Sequence, residues 1–133
     1  LNDEKNDTDC INCSNDLDWK FIATVKKSVE DNMDNPSFNV DVLCNLLNMS
    51  RTSFYNKIKA LTDQAPADYI RLIRLKHAAQ LLKEQKHTIT EISELTGFSA
   101  AKYFREVFKK HFDMSPSQYA KRGKEGKDDK EIK

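Results

Sequence analysis

The basic side chains of residues 96–116 gather on one side of a predicted helix. Apolar residues recur there at helical spacing and form a stripe, namely Phe104, Val107, Phe108 and Phe112. The opposite side carries short or basic residues, namely Ala101, Lys102, Arg105 and Lys109. Guanidinium and ammonium groups can bind phosphates and base edges. The helix is therefore either a reader of nucleic acid or an ordinary amphipathic helix with a solvated face.

A second copy of the pattern favours the first interpretation. Residues 43–50 parallel residues 92–99 at an offset of 49, and residues 54–66 parallel residues 104–116 at an offset of 50. The offset changes just after Ser50 and Ser99, the serines that we expect to cap the second helix of each copy. A repeat made of a short helix, a turn and a longer helix indicates two helix-turn-helix units.

Capping residues and apolar spacing predict where the other helices begin and end. The first helix is expected from Asp18, capped by Asp16 or Asp18 and ended at Asn35-Pro36. Expected caps elsewhere are Asn39 for a helix at 40–48, Thr90 for one at 91–96, and a Ser115–Gln118 capping box. In the two short helices Leu46 and Leu95 are expected to face inward, and positive φ is expected at Gly97. Cys44 is expected to be a buried thiol.

The predicted fold class is all-α, with two helix-turn-helix subdomains joined by a long linker helix and about seven helices in all. Residues 1–17 are predicted to be a poorly ordered linker, residues 18–122 the domain, and residues 123–133 a flexible tail. Within the domain, the first helix-turn-helix is placed at about 18–64, the linker helix at 66–84 and the second helix-turn-helix at about 89–122. A linker helix of some 18 residues spans about 27 Å, close to the roughly 34 Å between successive major grooves.

The sequence resembles the DNA-binding domain of AraC/XylS-type bacterial transcription regulators over roughly residues 19–122. The likeness lies in Gly97-Phe98-Ser99, Tyr103-Phe104, Phe108-Lys109-Lys110, Ser115-Pro116 and Tyr119, and also in Ser50-Arg51, Tyr55, residues 57–61 and the linker segment 69–75. Asp63 and Asp113 stand where the family usually has Gly, and Asp tolerates left-handed φ better than most residues. Ala120 stands where Arg is common, which removes a salt bridge or a phosphate contact.

The resemblance implies a set of base-reading residues, and the cations near them predict a set of phosphate contacts. The base-reading set is Arg51, Thr52, Tyr55 and Asn56 in the first repeat and Ala101, Lys102, Arg105 and Glu106 in the second. The phosphate-contacting set is Ser50, Lys59, Arg71, Arg74, Ser99, Lys109 and Lys110. Glu106 either accepts a hydrogen bond from cytosine or forms an ion pair with Lys102 or Lys110. Lys83 and Lys86 are expected to be solvated surface residues.

Charge is distributed unevenly along a chain whose net charge is only +1. Residues 1–49 hold 4 Lys and Arg against 10 Asp and Glu, whereas residues 50–124 hold 15 against 7. The positive excess coincides with the repeats and indicates a polyanionic partner, double-stranded DNA. The alternative is a helical protein-interaction module that keeps the fold without binding DNA. No nucleophile with a paired base, carboxylate dyad or phosphate loop points to an enzyme.

The three cysteines and the ends of the chain carry the remaining expectations. Cys10 and Cys13 form an isolated C-x-x-C, which lacks a second ligand pair for zinc and a βαβ context for redox chemistry. Reduced thiols, no metal, no cofactor and no membrane contact are expected, in a cytoplasmic domain. Leu1 in place of Met indicates a fragment of a longer protein.

The resemblance implies RNA polymerase as a further partner. It also suggests a hybrid two-component parent, anchored in the inner membrane, with receiver and histidine kinase domains upstream. The competing parent is a cytoplasmic regulator with a sugar-binding domain.

Overall fold

The computed structural model describes residues 10–122, and these contain seven helices and no strand. The helices are α1 (Asp16–Asp31), α2 (Val40–Leu47), α3 (Arg51–Thr62), α4 (Pro66–Glu84), α5 (Ile89–Leu95), α6 (Ala101–Phe112) and α7 (residues 116–122). The all-α prediction is confirmed. No helix within this described part is both long and apolar enough to cross a membrane.

The chain divides into two compact units, and α4 supplies residues to both. Among the described residues, the first unit comprises residues 10–32 and 37–73, and the second comprises residues 33–36 and 74–122. Each unit therefore contains one of the two helix-turn-helix repeats. The predicted tail at residues 123–133 and residues 1–9 of the predicted linker lie outside the described residues.

The core of the first unit is formed where α2 packs against α1 and α3. Its buried side chains include Ile22, Val25, Val29, Leu43, Cys44, Phe54 and Ile58. The ring of Phe21 meets that of Phe54 edge-on at 6.2 Å between centroids. Burial raises the pKa of the Cys44 thiol, as expected for an inert apolar position. Leu46, which was predicted to face inward, is 58% exposed.

The core of the second unit is a chain of aromatic contacts. Phe104 lies 5.1 Å from Phe98 and 5.7 Å from Phe108, measured between ring centroids. Tyr119 of α7 closes the cluster at 5.4 Å from Phe108 and 5.2 Å from Phe112. Residues of α4 line its other side, namely Leu75, Ala78, Ala79 and Leu82. Such ring pairs add to the stability that area burial provides.

Several helix ends differ from their predicted positions by one to four residues. Asn15, and neither Asp16 nor Asp18, caps α1 by accepting from the Asp18 backbone N–H. This helix ends at Asp31 and not at Asn35-Pro36, and residues 33–36 belong to the second unit. Thr88, not Thr90, caps α5 in a full capping box with Glu91. The caps at Asn39, Ser50 and the Ser115–Gln118 box are confirmed.

Ser99 does not cap α6, contrary to prediction. The N-cap residue is Ala100, which has extended backbone angles and no side-chain hydrogen bond to the helix. The offset between the repeats changes from 49 to 50 at this point. The additional residue separates Ser99 from the helix, so its hydroxyl is one position too early to accept from the first turn.

Arg74 was predicted to contact phosphate, and the structure contradicts this. Its side chain lies inside the second unit, where the residue is only 6% exposed. Its Nη1 atom donates to the carbonyl oxygens of Met33 at 2.6 Å and Thr96 at 2.9 Å, while Nη2 donates to that of Asn35 at 3.0 Å. Desolvation lowers the pKa of the guanidinium. A side chain so enclosed cannot reach the backbone of a duplex.

Gly97 is required beside Arg74 for two reasons. Its φ of +80° lies in the left-handed region, as predicted. A Cβ atom there would also overlap Nη1 of Arg74 and lie 2.6 Å from the Met33 carbonyl oxygen. The turn before α6 therefore has room for Arg74 only because residue 97 lacks a side chain.

We expect Arg74→Lys to lower the free energy of unfolding by about 2 kcal/mol or more, because a single ammonium nitrogen cannot replace the two-pronged guanidinium and leaves a buried carbonyl without a donor. Urea denaturation followed by circular dichroism measures this. Unchanged stability together with weakened DNA binding would instead restore Arg74 to the phosphate-contacting set.

Gly97→Ala should lower the free energy of unfolding by at least about 2 kcal/mol, since it adds a Cβ to a left-handed residue and displaces Arg74. Asp113→Gly is the matched control. Asp113 has φ of +61° in the same unit, so removing its Cβ adds no clash, and a change below about 1 kcal/mol is expected. Equal stabilities for Gly97→Ala and the unmodified chain would contradict this account of the turn.

Ala100→Ser should raise the free energy of unfolding by about 1 kcal/mol, because it supplies the side-chain acceptor that the start of α6 lacks. The same denaturation experiment applies, with Ser99→Ala as control and no appreciable change expected. Destabilisation by Ser99→Ala would show that Ser99 caps the helix after all.

Candidate nucleic-acid interface

The two helix-turn-helix repeats have the same backbone design in their turns. In the first, Asn48 is left-handed with φ of +55°, and the Met49 N–H donates to the Cys44 carbonyl at 3.0 Å. In the second, Gly97 is left-handed, and the Phe98 N–H donates to the Ser93 carbonyl at 2.9 Å. Each residue of the first turn is thus matched by the residue 49 positions later.

The second helix of each repeat also ends in the same way. Asp63 and Asp113 adopt φ of +64° and +61°, and their N–H groups donate to the carbonyls of Lys59 and Lys109 at 2.9 and 2.8 Å. The tolerance of Asp for left-handed φ explains how the chain keeps this ending without Gly. The internal repeat predicted from spacing is confirmed at the level of backbone hydrogen bonds.

The face of α3 that carries the first candidate set is exposed. Arg51, Thr52, Tyr55 and Asn56 all lie at the surface, and Tyr55 is 47% exposed. On the opposite face Phe54 and Ile58 are almost fully buried. Ser50 caps the helix through its side chain, which accepts from the Ser53 N–H at 3.1 Å, and it also lies at the surface. A helix with one buried apolar face and an exposed polar face on the other side is suited to insertion into a groove.

The corresponding face of α6 is more strongly cationic. Lys102, Arg105, Lys109 and Lys110 are exposed together with Glu106, and Ala101 is half-buried. Phe104 and Phe108 on the opposite side are fully buried. Among the described residues, Glu106 forms no ion pair with Lys102 or Lys110. Its carboxylate is therefore available to an external donor, and Ser99, which makes no cap, is exposed as well.

Three candidate cations contact neighbouring groups of their own unit. Arg51 pairs with Asp41 of α2 at 3.2 Å between Nε and Oδ1. Lys59 donates from Nζ to the Asp63 carbonyl at 3.2 Å. Arg71 pairs with Asp68 one turn earlier on α4. The helical spacing of Asp68 and Arg71 is readable from the sequence, whereas the Arg51–Asp41 contact depends on how α2 packs against α3.

The segment before α1 contacts the end of α3 in the first unit. The backbone N–H of Asn12 donates to the Leu61 carbonyl at 3.0 Å, and its side-chain amide donates to the Ala60 carbonyl at 2.9 Å. Cys10 is buried and forms a disulfide with Cys13. The expectation of reduced thiols is therefore wrong for Cys10 and Cys13, whereas the limits and the order of the predicted linker stay a prediction. No sequence signal placed this segment on α3, because Asn12 bonds to backbone carbonyls that any residue supplies.

Comparison with known proteins agrees with this geometry. Residues 43–122 match the family described as "Helix-turn-helix domain". A protein of Formosa agariphila named "Histidine kinase P4" is 45% identical over 106 residues, which are 80% of this chain and 8% of that protein. The Msm operon regulatory protein of Streptococcus mutans is 32% identical over 81% of this chain and 38% of its own length. The chain thus spans well under half of either relative.

Two solved structures share the fold over most of their length. The C-terminal domain of AraT, a response regulator from Geobacillus stearothermophilus, has a TM-score of 0.69 and 25% identity, covering 76% of this chain and 84% of that one. The DNA-binding domain of AdpA, a transcriptional factor solved with a target DNA, has the same TM-score and identity, covering 75% and 89%. This chain therefore belongs to the AraC-type helix-turn-helix family.

Proposed function

We propose that this chain is the sequence-specific double-stranded DNA-binding domain of a bacterial transcription regulator. The observation that carries the proposal is the repetition of one backbone design with an exposed polar face on the second helix of each copy. Phe54 and Phe104 are buried and pack the inner faces of α3 and α6 into the core. The outward residues therefore lie on rigid elements. The target DNA named for the AdpA structure supports duplex DNA as the ligand.

In this proposal α3 and α6 read two adjacent major grooves of one continuous site. The 19 residues of α4 correspond to about 28 Å, which is of the order of one helical repeat of B-DNA. The bases are contacted by Arg51, Thr52, Tyr55 and Asn56 on α3 and by Ala101, Lys102, Arg105 and Glu106 on α6. Ser50, Lys59, Arg71, Ser99, Lys109 and Lys110 contact phosphates or set the register.

The parent protein is proposed to be a hybrid two-component regulator. The name of the Formosa relative and the response-regulator origin of the AraT domain both support it. In such a parent this domain lies in the cytoplasm, histidine kinase and receiver domains precede it, and the whole is anchored in the inner membrane. Transcription activation through RNA polymerase follows from the family resemblance. No enzymatic activity is proposed for this domain.

We expect Arg105→Ala to weaken binding to a site selected from a random DNA pool by roughly 1–3 kcal/mol and to relax the preference at one base pair, because a bidentate Arg–guanine contact is lost. Fluorescence anisotropy with specific and unrelated duplexes measures this. Lys109→Ala is the matched control, since it removes one charge from the same helix and should weaken both duplexes alike.

An equal loss on specific and unrelated DNA for Arg105→Ala would remove Arg105 from the base-reading set. The alternative, a protein-interaction module on the same fold, is tested by the same titration. If the unmodified chain fails to bind any duplex at low salt, the proposed function is wrong.

A further inference from the structure

The cations of the two second helices differ in what holds them. All three on α3 have a partner in their own unit: Arg51 pairs with Asp41, Lys57 lies 4.6 Å from the centroid of the Phe21 ring, and Lys59 donates to the Asp63 carbonyl. On α6, Lys102, Arg105, Lys109 and Lys110 make no ion pair or side-chain hydrogen bond within the described part of the chain. The second helix is thus present in both repeats, but among the described residues its cations have intramolecular partners only on α3.

The charges of the two units differ in the same direction. Among residues 10–122, the first unit holds seven Lys and Arg and seven Asp and Glu, so its net charge is zero. The second unit holds ten against six, a net charge of +4. Outside the described residues, residues 1–9 hold one Lys against four Asp and Glu, and residues 123–133 hold four Lys against four Asp and Glu. The field that attracts a polyanion therefore originates in the second unit.

Three neighbouring side chains on the exposed face of α3, Thr52, Tyr55 and Asn56, are uncharged, and their chemistry suits particular bases. The side chain of Asn56 can form two hydrogen bonds with adenine, and the methyl group of Thr52 can contact the thymine methyl. The ring of Tyr55, 47% exposed, offers a larger apolar surface for the same methyl group. On α6, Arg105 and Lys102 are suited to guanine. The two helices thus differ in the base pairs that their side chains suit, and they also differ in the positive charge that they expose.

We propose that the second repeat supplies most of the ionic, salt-dependent part of duplex binding, and that the first repeat reads A·T base pairs mainly through the uncharged side chains of Thr52, Tyr55 and Asn56. The inference rests on the proposed function and specifies its ligand, an asymmetric site with an A·T-containing half contacted by α3 and a guanine-containing half contacted by α6. Each free cation that meets a phosphate releases counterions and makes affinity fall with salt. The Asp41 carboxylate beside Arg51 offsets part of the charge that the guanidinium presents to a phosphate, so Arg51 gains less from the same contact.

The experiment compares two double variants of the full 133-residue chain that remove the same charge. Lys109→Gln with Lys110→Gln alters α6, and Arg51→Gln with Lys59→Gln alters α3. The dissociation constant for a fluorescent duplex is measured by anisotropy from about 50 to 200 mM KCl, a range over which several phosphate contacts have a large effect. Thermal unfolding monitored by circular dichroism confirms that both variants are folded.

We expect the α6 variant to reduce the slope of log affinity against log salt by about 1.8, that is about 0.9 for each lost contact. The α3 variant should reduce it by less than half as much. An equal or larger reduction in the α3 variant would overturn the proposed division. Absence of duplex binding by the unmodified chain would instead refute the proposed function itself, so the two failures are distinguishable.

Base preference is tested separately by selection from a random duplex pool. Asn56→Ala should relax the preference for an A·T pair in one half of the site and leave the salt slope unchanged. Tyr55→Phe should retain the selected sequence, and Tyr55→Ala should lose a thymine preference. A selected site whose α3 half, identified by these variants, contains only G·C pairs would overturn the assignment.

Discussion

The second unit depends on one buried guanidinium. Arg74 joins the Met33, Asn35 and Thr96 carbonyls, which come from two segments far apart in sequence. Burying a charge is costly unless donors and acceptors are matched. The arrangement therefore constrains everything around it: residues 33–36 leave α1 to reach it, and residue 97 must be glycine to admit it. A cation that was predicted from the sequence to contact phosphate is instead what holds the turn before α6.

This constraint explains how α6 is fixed at its start without a capping side chain. In the first repeat, Ser50 satisfies the opening turn of α3 locally. In the second, Ala100 provides no such bond, and the chain before it is held by Arg74 at Thr96 and by the ring of Phe98 against Phe104. One recognition helix is thus positioned mainly by local hydrogen bonding and the other mainly by tertiary contacts. Exposed polar residues on α6 can vary without loss of the helix, because none of them holds it in place.

The sequence predicted most of the fold because its signals are local. Apolar spacing, Pro66 at the first position of α4, and the left-handed positions at Gly97, Asp63 and Asp113 each depend on a few neighbouring residues. The predictions that failed depend on distant ones. Arg74 looks like any exposed cation of a linker helix until Met33 and Thr96 are brought beside it. Leu46 and Leu95 have inward spacing, yet they are 58% and 39% exposed, because helices of seven or eight residues bury only a narrow stripe. The outward residues of α3 and α6 are confirmed as exposed, while their contacts with DNA stay a prediction.

Duplication of a helix-turn-helix preserves what the backbone requires and leaves the outer surface free to change. Both copies share the left-handed turn, the left-handed helix ending and a buried aromatic ring at Phe54 or Phe104. Each of these features either closes a backbone hydrogen bond or fills the core. In the second repeat, the position equivalent to Asp41 is residue 90, which is Thr and carries no charge. Arg51 of α3 therefore has an ionic partner on α2, whereas α6 has no such partner at the equivalent position. A single acidic residue on the supporting helix is enough to change how a recognition helix presents its charge. Differences of this kind arise outside the core and cost little stability, which is why two copies of one fold can diverge in the ligand chemistry they offer.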